Sequence, residues 1–307
     1  MKKFWKATLI PGICCILAGI VLAVVLAVGF SDELIGYQDQ LSINAENFLD
    51  FFEFDRFGSG TRTGTHYSRT ETKESYDFAV SDIEEVTGIC FEFAVGEVRI
   101  KEGDVMEVHV RDMFEDAISS EVRDGIWYIE DALMEEGSVH SDYCPEIEVV
   151  LPEKVYFETM EIYLAAGMFS AEELRAGQVL LDVSAGSMKV MELEAEERLE
   201  LINGVGEIVV YDLTAHNLTV DNGVGAISLT GAVSGDNSVE CGIGEVKIIL
   251  TDRSEVDFNY EIDCGIGEVE VDGKKYRGNV ERVQGENTKA DSFTLDCGIG
   301  RIELDIE

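Results

Sequence analysis

The sequence predicts an all-β fold. Its core is a single-stranded β-solenoid, parallel β-helix-like with coils of about 19–20 residues, preceded by one transmembrane helix. Three observations predict this. A seven-residue phrase recurs as Glu240-Cys-Gly-Ile-Gly-Glu-Val246, Asp263-Cys-Gly-Ile-Gly-Glu-Val269 and Asp296-Cys-Gly-Ile-Gly-Arg-Ile302. Apolar residues alternate around each phrase and change phase at its second glycine. Residues 7–30 carry no charge.

Asn203-Gly-Val-Gly-Glu-Ile208 and Asn222-Gly-Val-Gly-Ala-Ile227 repeat the phrase with Asn in place of Cys, and looser copies stand at Ala94–Val98, Ala166–Met168 and Ala185–Met188. The register glycines Gly167, Gly186, Gly206, Gly225, Gly244, Gly267 and Gly300 are spaced by 19, 20, 19, 19, 23 and 33 residues. Val239, Cys241 and Ile243 share one parity, while Val246 and Ile248 take the other. Alternation marks a half-buried strand, and a one-residue slip would turn every side chain to the wrong face. The glycine pair therefore reads as a corner or bulge, where lack of a β-carbon permits unusual backbone angles. Parallel strands stack about 4.8 Å apart, so the marked coils would make a rod on the order of 35 Å long. A β-propeller is a poor rival because its blades need about 40 residues each.

The elements follow in order. Residues 1–6 form a basic tail with Lys2, Lys3 and Lys6. Residues 7–30 are long enough to span a bilayer as a helix. The lysines before this run and Asp32 and Glu33 after it predict a single-pass cell-membrane protein, its N-terminus cytoplasmic and its C-terminal domain extracellular. The lipid bilayer is then a partner through residues 7–30. Residues 31–57 place Leu41, Ala45, Phe48, Leu49 and Phe52 at helical spacing, a juxtamembrane amphipathic segment that caps the first coil or meets another helix. Residues 58–75, rich in Gly, Ser and Thr, read as a flexible linker. Residues 76–307 are the solenoid domain. Its register is interrupted at 97–162, where Val105–Val110, Ile126–Ile129 and Ile147–Leu151 still read as strands, and again by an insertion at 272–293.

The formal net charge is −39, and the first 30 residues contain no acid, so the remainder is more acidic still. Such a surface repels nucleic acid, which is excluded as a partner. Cys241, Cys264 and Cys297 share one inward rung position, with Asn203, Asn222 and Ala185 as equivalents. With no His beside them, they read as buried, reduced thiols rather than a zinc site or a disulfide. Glu97, Glu207, Glu245 and Glu268 recur just after the corner. Stacked carboxylates can hold Ca²⁺, but calcium-binding rolls repeat every nine residues or so with an Asp after the glycines, so a solvated acidic face is the reading here. His66, His109, His140 and His216 are scattered and form no catalytic arrangement. The sequence assigns no catalytic, cofactor-binding or metal-ligating residue and implies no cofactor.

Gly-Ile-Gly-Glu-Val, Ala94-Val-Gly-Glu-Val-Arg-Ile100 and Ile147-Glu-Val-Val-Leu-Pro152 together resemble the bacterial putative-adhesin family, a β-strand-repeat domain of unknown function, over residues 76–307. The resemblance implies binding at the envelope or surface, in some relatives a link to envelope-stress responses, and carries no catalytic residues. The expected function is a membrane-tethered, non-catalytic binding or scaffold module at the bacterial cell envelope, with cell-wall polymer or a membrane signalling protein as candidate partners. The alternatives are a carbohydrate-active β-helix enzyme and an accessory or sensor subunit of an envelope-stress signalling system.

Overall fold

The computed structural model describes residues 73–81, 83–114, 117–136, 143–152, 155–251, 258–277, 280–283 and 291–307. Apart from a 3-10 turn at Ile83–Glu85 and a helical turn at Leu133–Glu136, the regular structure is all β. Its strands are β1 Lys73–Ala79, β2 Gly88–Gly103, β3 Glu107–Phe114, β4 Ile118–Arg123, β5 Ile126–Asp131, β6 Glu146–Pro152, β7 Phe157–His216, β8 Leu218–Ser234, β9 Asp236–Leu250, β10 Phe258–Cys264, β11 Glu268–Val271, β12 Lys274–Tyr276, β13 Val280–Val283 and β14 Asp291–Ile306.

These form one open 14-stranded sheet. Its centre is a run of parallel, in-register passes, each bent at a corner glycine. Gly96 pairs with Gly167, Gly206 with Gly225, Gly225 with Gly244, and Gly244 with Gly300. The 60-residue β7 makes three passes itself, since a β-carbon on Gly186 would strike Gly167 and one on Gly206 would strike Gly186. The chain takes this form because each pass buries two short apolar sets on opposite parities. Val239 and Cys241 lie inside before the corner; Val246, Ile248 and Leu250 lie inside after it. The predicted phase slip is thus present, with one difference. Ile243 is half-buried, Ile299 is 50% exposed and Ile266 83%, so the middle residue of the phrase sits on the outside of the bend. A chain turning its corner there points that side chain along the ridge, not into the core.

The order of passes departs from the order of the sequence. β14 lies between β9 and the pair β10 and β11, its Cys297 matched to Cys241 on one side and Cys264 on the other. At the opposite end, β5 and β6 together flank β2 in parallel, so the 97–162 interval returns to the start of the stack before β7 begins. Antiparallel strands close both ends: β4 on β5, β3 on β6 and β1 on β3, against β13 on β10 and β12 on β11. Aromatic rings fill the interior near these ends. Phe91 meets Trp127 edge-on at 5.2 Å, and Phe258 meets Phe293 at the same distance. Between them the interior is aliphatic, as at Leu181, Val183, Leu201 and Val220. Burying each such side chain contributes about 1.5–3 kcal/mol.

The expected transmembrane helix and single-pass localisation are corrected. Among the described residues no helix is long and apolar enough to cross a membrane. Residues 7–30, which carried that expectation and the bilayer partner with it, lie outside the described residues, as do the 31–57 stripe and most of the 58–75 linker.

Candidate binding faces

The interior ladder comes first, because its register fixes all the outward rows. Asn203 Nδ2 donates to Asn222 Oδ1 at 2.7 Å and to the Gly206 carbonyl at 3.2 Å. Asn222 Nδ2 donates to the Gly225 carbonyl at 3.1 Å and reaches Cys241 Sγ at 3.7 Å. Cys241, Cys297 and Cys264 continue the line as free, buried thiols. Burial, with Cys241 and Cys264 beside it, pushes the Cys297 thiol up to about 11, and burial also raises that of Cys241. These groups are held protonated and chemically quiet. The rung equivalent of Asn203 is Val183, not Ala185: a β-carbon on Gly204 would meet Ser184, which sets the register one step further on. Asn side chains also tie passes together at the turns. Asn237 Oδ1 accepts from Leu218 N at 2.9 Å, and its Nδ2 donates to the Ser292 carbonyl at 3.0 Å, linking β8, β9 and β14.

Just after the corner, the predicted acidic row is broken by the order of passes. In space it runs Glu97, Met168, then through β7 to Glu207, Ala226, Glu245, Arg301 and Glu268. Arg301 stands between the last two acids and pairs with Glu270 at 2.6 Å and Glu303 at 2.5 Å. Lys247 bonds Glu303 at 2.6 Å and Asp305 at 3.2 Å. From the 272–293 insertion, Lys275 reaches Glu268 at 2.8 Å and Arg277 also contacts it, and the two hold the Glu268 carboxyl below its usual range. Two of the insertion's basic residues therefore fold onto the acidic passes. Among the described residues no group of three or more His, Cys, Asp or Glu is placed to hold a metal ion.

The outward face before the corner carries a contiguous acidic row, three of whose members open the repeated phrases: Asp221, Glu240, Asp296 and Asp263 pair directly across successive strands. All four are exposed, and among the described residues none joins an ion pair. Nearby, burial, together with the Asp221 and Glu200 carboxylates, raises the Asp182 carboxyl.

The outward face after the corner differs. Across four passes it carries Lys189 and Met191, Val209 and Tyr211, Ser228 and Thr230, Lys247 and Ile249, with exposed Glu207 and Glu245 nearer the corner and exposed Glu192 and Asp212 directly after Met191 and Tyr211. Met191 and Tyr211 are nearly half exposed, and the Lys189 ammonium sits 5.0 Å from the centre of the Tyr211 ring. Periodicity could not have placed these outward neighbours side by side, because it constrains only the inward set.

No known family and no curated protein matches the chain. Among solved structures, it is similar to a putative cell adhesion protein from Clostridium sporogenes (18% identity, 77% of this chain and 100% of that one, TM-score 0.37). It is also similar to a putative adhesin from Bacteroides fragilis (11% identity, 77% and 98%, TM-score 0.39). A third neighbour is a putative lipid binding protein from Parabacteroides distasonis (14% identity, 76% and 97%, TM-score 0.29).

Proposed function

We propose that this chain is a non-catalytic binding or scaffold module, adhesin-like in type, whose binding unit is the β-rich segment 76–307 with each parallel pass acting as one solenoid coil. The observation that supports this most is the registered stack itself. It repeats outward side chains at the strand spacing of about 4.8 Å over many passes, which suits an extended ligand better than a small substrate. A repeat fold of this kind presents long, stiff faces whose side chains are fixed before any ligand arrives, so little ordering cost opposes binding.

The interior supports the same reading. Its Cys241 and Cys297 thiols are buried and held protonated, and Asn203 donates to Asn222 from one rung to the next. The test is a retention screen of the full chain against immobilised polymers, proteins and lipid vesicles, with each ligand checked for breakdown. Saturable retention without new reducing ends or free acid groups is the expected outcome. Turnover of any retained polymer would replace this reading with the β-helix enzyme alternative.

A further inference from the structure

The front end of the stack leaves part of its inward face uncovered. Val122 on β4 and Trp127 on β5 are direct cross-strand partners, so their side chains share that face. Trp127 is fully buried, and its Nε1 donates to Ser120 Oγ at 2.8 Å. Val122 is 39% exposed, because among the described residues β4 pairs only with β5 and nothing continues the sheet beyond it. We infer that the cleft beside β4 binds an extended peptide, which joins the edge as one more strand. This site lies apart from the outward faces of the stack, so it goes beyond the binding-module reading and does not depend on those faces.

The backbone fixes which groups are on offer. Asp124 and Gly125 have φ of 51° and 80°, the two-residue hairpin turn in which the flanking Arg123 and Ile126 bond each other. Bonded pairs then alternate along the hairpin, and Ala132 N donating to the Ala117 carbonyl at 2.8 Å continues the series. The N–H and C=O groups of Ser120 and Val122 fall between those pairs and point away from β5. Such a row is a template for an added strand.

The cleft is also walled and stiff. Val80, Ser81 and Glu85 line it together with Ser120, Glu121 and Val122. Val80 N donates to the Met106 carbonyl at 2.9 Å, which pins the wall, and Thr87 N donates to the Gly125 carbonyl at 2.8 Å, which pins the hairpin tip. Both sides are therefore set before a ligand arrives, and little ordering cost opposes binding. The cleft volume is about 280 Å³. That is roughly the share of nine waters, room for the side chains of one strand. A second copy would bring its β4 with β5 attached, which is too much for that space.

The lining then selects the peptide. Successive side chains of an added strand point to opposite faces. Those turned inward meet Val122 and Val80 and must be apolar. Those turned outward lie beside Glu121, while the neighbouring Arg123 is already paired with Glu130 and seated 4.1 Å from the centre of the Tyr128 ring. A basic residue fits that place, and a chain of formal charge −39 draws it in. The ligand class is an extended peptide of alternating apolar and basic residues.

The experiment measures fluorescence anisotropy of two labelled peptides with the full chain, acetyl-Lys-Val-Lys-Val-Lys-amide and its counterpart with Glu for Lys. The Lys peptide should bind saturably, and the Glu peptide at least about tenfold more weakly. Methylating alternate backbone nitrogens of the Lys peptide separates strand pairing from charge: one parity should abolish binding and the other should leave it. Val122→Lys should weaken binding about tenfold with melting temperature unchanged, and Glu121→Lys should reverse the preference between the two peptides. No saturable binding of either peptide overturns the inference, as does the same effect from both methylation parities. Binding indifferent to both variants would mean general attraction to an acidic surface, which also overturns it. So would a dimer in sedimentation that Val122→Lys dissociates, since a second copy would then occupy the edge. None of these outcomes touches the binding-module reading, which its own retention screen decides.

Discussion

At the scale of single residues, the corner glycines and the buried thiols make the sharpest claims. Gly244 has φ of 135°, a region open to glycine, and a β-carbon there would run into the Gly225 carbonyl. Gly267 lies outside that φ range, yet its added carbon would sit 2.6 Å from Cys297 Sγ and closer still to the Gly300 carbonyl. The two positions are thus closed to side chains for different reasons, one by angle and space, the other by space alone. Gly244→Ala should cost about 1–3 kcal/mol, and Glu245→Ala within about 0.5 kcal/mol of nothing, measured by denaturant unfolding. Equal midpoints would show the corner is not fixed as described. The thiols set an alkaline limit. The Cys297 thiol stands at about 11 against an ordinary value of 9.0. Between those values the unfolded chain has lost a proton that the folded chain keeps, so stability is unaffected below pH 9 and falls as pH rises toward 11. The slope should amount to about 2 kcal/mol across the window and should be reduced in Cys297→Ala. A pH-independent melting temperature there would mean the thiol is not protected.

At the scale of elements, the sequence was most legible where coils follow one another without interruption. The spacing of 19 residues placed Gly206, Gly225 and Gly244 in register, and they pair as expected. It was least legible where a long connection intervenes. A step of 33 residues leaves enough chain for the last pass to cross back, and no periodicity can say which neighbour it will choose. The position of Ala185 was misread for a smaller reason: the 20-residue step from Gly186 to Gly206 sets it opposite Val205, but a loose copy with a single glycine offers no polar marker to show which residue matches the Asn. The crossing has a measurable consequence. In a stack built in chain order, removing residues 291–307 would trim the last rung only. Here it removes the inner neighbour of β10 and β11, so limited proteolysis of the truncated protein should cut throughout 258–283 while leaving 157–250 protected. Protection of 258–283 without β14 would contradict the observed order of passes.

At the scale of the whole molecule, the excess of negative charge governs how stability responds to solution conditions. An acidic row runs along the outward face before the corner, while many of the basic residues are drawn into ion pairs, Arg301 with Glu270 and Glu303 at one end of the stack and Arg175 with Glu173 and Glu194 within it. Directly opposed like charges destabilise a sheet, and screening relieves them. Raising NaCl from 10 mM to 300 mM should therefore lift the melting temperature by ~2–5 °C, and Asp296→Asn should lift it at low salt and lessen that gain. A melting temperature that falls with salt would mean that the ion pairs outweigh the repulsion. The outward neighbours of Tyr211 stayed hidden from sequence reading because outward residues obey no period, and they appear only once separate passes are laid side by side.

The interleaved last pass also sets a timetable. A ribosome delivers β10 and β11 before β14, the strand against which both must lie. Until β14 emerges, β10 and β11 have no partner on their inner side, and β9 presents a bare edge. Assembly from the front end can proceed during synthesis, but completion of this end waits for β14, which must enter between two surfaces already made. The newborn chain thus passes through an interval with two unpaired edges, the point at which strand exchange between copies is easiest and the point at which β14 acts as a bolt.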